Sequence, residues 1–264
     1  MNGHVLSSCE AGILRLTLDD EDTRNSLSET MMAKLTAALK AGAQDACVRV
    51  IVIAAKGPAF SSGHNLKEIT AHRGDADKGA AYFAALFQSC TELMLAVVQN
   101  PKPVIAEVAG LASAAGCQLV ASCDLAIAAE TARFCTPGVN IGLFCSTPMV
   151  PLSRNVAQKH AMEMLLTGDV FDAAEALRMG LVNRVVPASA LSQTVTELAT
   201  KIASKSMVTI RIGKQAFYRQ RELPLEDAYA YTAQVMAENL LTRDAEEGIS
   251  AFIGRRPPQW SDET

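Results

Sequence analysis

The chain has 264 residues, 49% of them hydrophobic and 20% charged, which is enough to bury a sizeable core and is ordinary for a soluble enzyme. A formal net charge of −4 gives no basic footprint, so neither nucleic acid nor a membrane surface is expected as a partner. Seven cysteines form no CxxC pair, and four scattered histidines include no HExxH, which excludes a disulfide framework and a dedicated metal site as expectations. The thiols read as small buried side chains in a reducing compartment.

Met1-Asn2-Gly3-His4 carries no basic, apolar leader and a strand begins at once near Val5, so the expected location is cytoplasmic. Strands are predicted at Val5–Ser8 and Ile13–Leu18, joined through Glu10-Ala11-Gly12. Ser28 reads as the N-cap of a helix whose apolar face is Met32, Leu35, Leu39 and Ala43. Val48–Ala54 is a β-branched run suited to a strand buried on both faces. The polar, glycine-containing stretch Ala71–Gly79 is expected as a mobile loop, and a long helix follows from Ala80 to Val98, ended by Asn100-Pro101-Lys102-Pro103. Next come a strand at Val104, a helix over Ala114–Cys123, a strand at Asp124–Ala129 and a short strand at Ala132–Cys135. Gln118 and Asp124 interrupt the apolar stretch from Leu111 to Ala129, which argues against a membrane span. Beyond Val156 the pattern is helical: Ala157–Thr167, Ala173–Met179, Leu191–Ser204, Thr209–Arg221 and Leu225–Asn239. Strands alternating with helices imply an α/β core.

Two segments carry the chemistry. Val104-Ile105-Ala106-Glu107-Val108-Ala109-Gly110 reads as a buried strand and turn, followed by the tiny residues Ser113-Ala114-Ala115-Gly116 and then Cys117-Gln118-Leu119-Val120-Ala121-Ser122-Cys123. Small side chains at a helix start let a ligand approach unpaired N–H groups at the positive end of the helix dipole. The other segment is Phe60-Ser61-Ser62-Gly63-His64-Asn65-Leu66. With Leu166-Thr167-Gly168-Asp169, the run Ala173 to Val182, and Glu246-Glu247-Gly248-Ile249-Ser250-Ala251-Phe252, they resemble the crotonase (enoyl-CoA hydratase/isomerase) superfamily from about Val5 to Trp260. Within it, Val139-Asn140-Ile141-Gly142-Leu143-Phe144-Cys145-Ser146-Thr147-Pro148 resembles the subgroup called enoyl-CoA hydratase domain-containing protein 3.

The resemblance implies an α/β, crotonase-like spiral of ββα units over 1–200 that carries a CoA-thioester site. A C-terminal helical region over 201–264 would assemble a homotrimer or a dimer of trimers. It implies an acyl-CoA thioester as substrate, so coenzyme A enters as part of the substrate and no cofactor is tightly bound. The superfamily stabilises a thioester enolate between two backbone N–H groups; carried over, these belong to His64 and Ala115, the latter an alanine where the family often has glycine. Such donors are typically worth ~10²–10³ in rate each. Two tight turns chosen for packing are the alternative. The His64 imidazole is either a spectator or a proton carrier, and its Ser-x-Gly-His loop resembles the methylmalonyl-CoA decarboxylase branch.

The two hydratase carboxylates align with Gln118 and Gly138, and both are missing. General acid–base groups each supply ~10²–10⁴, so hydratase activity is expected to be weak or altered. Decarboxylase- or thioesterase-like chemistry is left open beside a non-catalytic acyl-CoA-binding or regulatory oligomer. Gln118 either holds a carbonyl or water or merely fills the helix surface. Glu68 and Cys145 are candidate replacements. Glu68 at helical spacing otherwise faces solvent or pairs with Lys67, and no histidine adjoins Cys145 in sequence to activate it. Asp124 is expected as a cap or turn residue. For coenzyme A the candidates are Arg24, Ser62, His64, Lys67, Ala115, Phe252 and Arg255, with Arg256 besides.

Overall fold

The structure, a computed structural model, describes residues 4–262. The residues 1–3 on which the leader argument rests lie outside the described ones. Strands β1 (Val5–Glu10) and β2 (Ile13–Leu18) form an antiparallel hairpin with Val5 opposite Leu18. Ala11 and Gly12 turn it at φ 49° and 79°. Helix α1 (Glu29–Gln44) starts at Ser28, whose hydroxyl accepts the Met31 N–H at 3.2 Å, and it buries Met31, Met32, Leu35 and Leu39.

Three similar units follow. β3 (Val50–Ala55) and β4 (Ala59–Ser61) lead into α2 (Leu66–Ala71) and α3 (Ala80–Val98). β5 (Val104–Val108) and β6 (Leu111–Ser113) lead into α4 (Ala115–Ser122). β7 (Leu125–Ala129) and β8 (Arg133–Cys135) lead into α5 (Met149–Asn155) and α6 (Gln158–Thr167). The first strand of each unit joins one sheet and the shorter second strand joins another. After β9 (Phe171–Asp172), α7 (Ala173–Met179), β10 (Arg184–Val186) and α8 (Leu191–Ala203), the sheet orders are β1-β2-β3-β5-β7-β10 and β4-β6-β8-β9. α9 (Met207–Gln220), α10 (Leu225–Leu240) and α11 (Arg243–Ile253) close the chain.

The large sheet is apolar on both sides because its side chains alternate. Leu14, Leu16, Leu18, Ile51, Ile53 and Ala106 enter the main core. Ile13, Val50, Val52, Ile105 and Ile127 enter a second cluster, covered by Leu191, Val195 and Ala199 of α8. The reading of residues 48–54 as a strand buried on both faces is therefore the arrangement found. Helix α3 is long and apolar enough on length and composition to cross a bilayer, with a mean hydropathy of 1.5. It nevertheless packs Leu86, Cys90, Leu93, Met94 and Val97 into the core.

The segment 71–79, expected as a loop, carries local structure: His72–Gly74 form a 3-10 turn, and the Asp77 carboxylate accepts the N–H groups of Gly79 at 3.0 Å and Ala81 at 2.8 Å. A polar composition marks such a turn and a loop alike, because the same side chains that suit solvent also cap backbone. Strands β4, β6, β9 and β10 have two or three residues each, too few to leave a period in the sequence.

Candidate active site

The first loop of the site is held by the strand-like segment 24–27. Ser62 N–H donates to the Arg24 carbonyl at 3.0 Å, Leu27 N–H donates to the Gly63 carbonyl at 2.7 Å, and Leu27 bridges His64 in parallel. Arg24 and Asn25 both adopt left-handed backbone, with φ 56° and 54°. The buried Asn25 side chain makes this tolerable. Its amide donates to the Lys56 and Ala59 carbonyls, both at 2.8 Å, and its oxygen accepts Asp20 N–H at 2.8 Å. The Ser62 hydroxyl donates to the Thr23 carbonyl at 3.0 Å.

The second loop enters α4 through Ala114, at φ 50° and ψ −116°, a conformation that favours glycine and strains an alanine. The helix start is pressed onto the end of β4. A Cβ on Gly116 would fall 2.4 Å from the Ser61 carbonyl oxygen, so only glycine fits there. The two loops adjoin: a Cβ on Gly63 would lie 3.0 Å from Ser113 O and 3.3 Å from Ala115 N. His64 and Ala115 are thus brought to one place by strands that the sequence separates by 51 residues (115 − 64).

Gln118 is buried, at 4% exposure, which removes its reading as a surface filler. Its N–H donates to the Ala114 carbonyl at 3.0 Å. The Cys90 thiol stands 3.8 Å from its side-chain oxygen. Burial pushes the Cys90 pKa up to about 11, so this sulfur is a protonated donor and the Gln118 amide nitrogen is left free to donate elsewhere.

Gly138 lies in the 3-10 turn Pro137–Ile141. A Cβ there would stand 2.5 Å from the Leu143 carbonyl oxygen and 2.9 Å from Cys145 Sγ. The loop folds over this position and leaves no room for any side chain. Burial raises the Cys145 thiol's pKa, against a smaller opposing effect of the Gly138 N–H, the reverse of what a thiolate nucleophile needs. Glu68 accepts the Glu29 N–H at 3.2 Å and so is engaged at the start of α1. Its predicted partner Lys67 is exposed in the first turn of α2. Asp124 is a structural anchor: it accepts Val104 N–H at 2.7 Å, Lys214 Nζ at 2.6 Å and Tyr218 OH at 2.9 Å.

Of the candidate coenzyme A residues, Arg24 and Ser62 flank the His64 loop, and Arg24 and Lys67 are exposed. Phe252, 86% exposed, lies in the last turn of α11, and Arg255 follows the helix. α11 packs on α9 and α10, so these two belong to the C-terminal helices and not to the loop pair. Arg256 is already committed to Glu247 through a two-pronged pair at 2.6 and 2.7 Å. Sequence reasoning missed the Cys90 contact with Gln118; its only signal was the spacing of Phe87 and Cys90 on one face of a predicted helix.

An α/β fold of this construction defines a family, and the chain belongs to it: the profile of the enoyl-CoA hydratase/isomerase family matches residues 8–263. The chain is 47% identical over 252 residues to "Enoyl-CoA hydratase domain-containing protein 3, mitochondrial" of Homo sapiens, covering 96% of this chain and 82% of that one. The Xenopus laevis protein of the same name is 48% identical over 252 residues, at 96% and 84% coverage. The crystal structure of the human enoyl coenzyme A hydratase domain-containing protein 3 aligns with a TM-score of 0.92 at 45% identity, over 97% of this chain and 100% of that one. That of an enoyl-CoA hydratase from Mycobacterium smegmatis gives 0.92 at 47%, over 97% and 98%. The fold is the crotonase α/β fold, and the similarity extends to the subgroup that Val139–Pro148 indicated.

Proposed function

We propose that this chain is an acyl-CoA enzyme in which the backbone N–H groups of His64 and Ala115 hold the thioester oxygen and stabilise the enolate formed on it. The observation that carries the reading is the abutment of the two loops, with Ala115 N 3.3 Å from where a Gly63 Cβ would stand. Ala115 opens α4, where N–H groups lack intrahelical partners and the helix dipole favours negative charge. Each donor contributes ~10²–10³ to such a step.

Gln118 orients substrate or water by donating its amide N–H, and it titrates no proton. With a glycine at 138 and no space beside it, hydratase activity is weak or altered, and chemistry that needs fewer acids, such as decarboxylation or thioester cleavage, fits better. Loss of CO₂ passes its bonding electrons directly to the thioester, so an enolate forms without a base. Arg24, Ser62 and Lys67 contact the CoA moiety, while Phe252 and Arg255 reach it from another subunit of a homotrimer or dimer of trimers. Coenzyme A arrives as part of the substrate. The relatives' names carry a mitochondrial designation, which does not fit the cytoplasmic expectation, and fractionation of the source cells tests where this chain resides.

The test of the oxyanion site uses the unaltered protein and butyryl-CoA labelled with ¹³C at the thioester carbonyl. Two converging donors lower the carbonyl stretching frequency of the bound ester relative to the free one. An unshifted carbonyl in a saturated complex would sink the reading. A second reading, a non-catalytic acyl-CoA binder, is favoured by the absence of a titrating group at both 118 and 138. It predicts the same carbonyl shift with no product by mass spectrometry from enoyl-, 3-hydroxyacyl-, malonyl- or saturated acyl-CoA.

A further inference from the structure

Among the described residues two buried side-chain atoms have no hydrogen-bond partner, the Tyr82 hydroxyl and His64 Nε2. The second lies in the site loop itself, and a buried polar atom left without a partner calls for a ligand or a function. His64 Nδ1 stands 3.3 Å from the Leu27 carbonyl, an oxygen that can only accept, so the ring proton sits on Nδ1. Nε2 is therefore a lone pair. Burial holds the imidazole below its ordinary pKa, against a smaller opposing effect of the Leu27 carbonyl, and keeps the ring neutral at pH 7.

The ring is also fixed by Phe87, packed against it at 87° with centroids 5.5 Å apart. Phe87 and Cys90 lie three residues apart on one face of α3. Cys90 in turn meets Gln118. One helix face thus joins the His64 imidazole to the Gln118 carboxamide, across a rise of about 4.5 Å. The amides of residues 64 and 115 and the free N–H of Gln118 are all donors. Among these groups His64 Nε2 is the acceptor.

We propose that His64 Nε2 is the proton acceptor for the α-carbon of a CoA thioester, the acid–base group that serves here without the two carboxylates. This rests on the oxyanion reading above, in which the thioester oxygen is held by the residue's own N–H and the acyl group therefore enters beside its side chain. Nε2 takes the α-proton and becomes Nε2–H. The C–H electron pair forms the carbon–carbon double bond of the enolate, and the carbonyl π pair moves onto the oxygen held by the two amides. Return of the proton from Nε2 to carbon restores the neutral ring, and no other reactant is consumed. The substrate class is an acyl-CoA with at least one α-hydrogen.

The experiment incubates the whole protein with butyryl-CoA and octanoyl-CoA in D₂O and follows α-deuterium by mass spectrometry, beside the carbonyl frequency described above. Wild type exchanges the α-hydrogens. His64→Gln and His64→Ala, which keep the backbone N–H, retain the carbonyl shift and lose exchange by at least ~10²-fold. Protein labelled with ¹⁵N-histidine gives a measurement that needs no variant: the His64 signals show a proton on Nδ1 and none on Nε2, and the Nε2 resonance moves when butyryl-CoA binds. Undiminished exchange in His64→Gln, no exchange by wild type despite a shifted carbonyl, or a proton found on Nε2 would each overturn the proposal. An unshifted carbonyl in wild type removes the oxyanion reading and this one with it.

Discussion

Gly138 shows how a single residue limits what chemistry can be restored. Replacing Gln118 with glutamate adds an acid in a space already shaped for a side chain of that size. Gly138→Glu must push its Cβ into the Leu143 carbonyl oxygen, 2.5 Å away, and into the Cys145 thiol. Backbone cannot yield as a flexible side chain does. The expected outcome is a loss of about 1–3 kcal/mol from overpacking, seen as a lower Tm, with no hydratase activity gained on crotonyl-CoA. A stable Gly138→Glu protein with hydratase turnover would show that the 138–145 loop opens readily.

His64 makes a second prediction at this scale. Its pKa is lowered in the folded chain, by burial first, below the ordinary imidazole value of about 6.5. Between the folded and unfolded values the unfolded chain binds more protons, so stability rises with pH in that window and is flat above it. Stability is therefore lost as pH falls below about 6.5. Tm measured at about pH 5 and about pH 7.5 should fall further in wild type than in His64→Gln, which has nothing to protonate there. Equal falls in both proteins would mean that the imidazole is as easily charged folded as unfolded.

At the scale of elements, what ties the C-terminal helices to the sheets is a buried ionic cluster. Lys214 on α9 donates to Asp124 at 2.6 Å and to the carbonyls of Lys102 at 3.0 Å and Val97 at 3.3 Å, while Tyr218 on the same helix also reaches Asp124. The lysine side chain is 8% exposed and the aspartate 17%. Asp124→Ala leaves an ammonium without its counter-ion, and the Tyr218 hydroxyl and Val104 N–H without that acceptor. Breaking such a pair costs about 3 kcal/mol. Thermal melts of Asp124→Ala should show that loss, and Lys214→Met, which removes the charge while keeping the bulk, should lose less. The sequence placed Asp124 at a strand start but not its partner, because 90 residues separate it from Lys214.

At the scale of the whole molecule, the C-terminal helices leave large apolar side chains exposed on the single chain. Leu225, Tyr229, Leu241, Phe252 and Ile253 on or beside α10 and α11 are each more than 70% exposed. Leu241 and Ile253 line one groove between α10 and α11, and exposed apolar patches mark sites of association. Light scattering on the purified protein should give the mass of a trimer or hexamer, and Leu241→Glu with Phe252→Glu should shift it toward monomer. A monomeric wild type at micromolar concentration would remove the subunit-sharing role proposed for Phe252 and Arg255.

How much of this was legible in the sequence follows from the range of each interaction. The β-branched apolar run at 48–54, the Ser28 cap and the period of the long helices are local patterns, set by backbone geometry and readable wherever they occur. So is the run of tiny residues before Gln118, which marks a place where other groups approach the backbone closely, as Ser61 does at Gly116. These determined the fold, the family and the two loops of the site. Three decisions belong to tertiary structure alone: the Leu143 carbonyl fills the space at Gly138, Cys90 takes up the Gln118 oxygen, and Leu27 fixes the His64 tautomer. The last two bring together groups 28 and 37 residues apart, and the first depends on how the loop from 138 to 143 closes on itself. Only packing, which has no period, selects which of them meet.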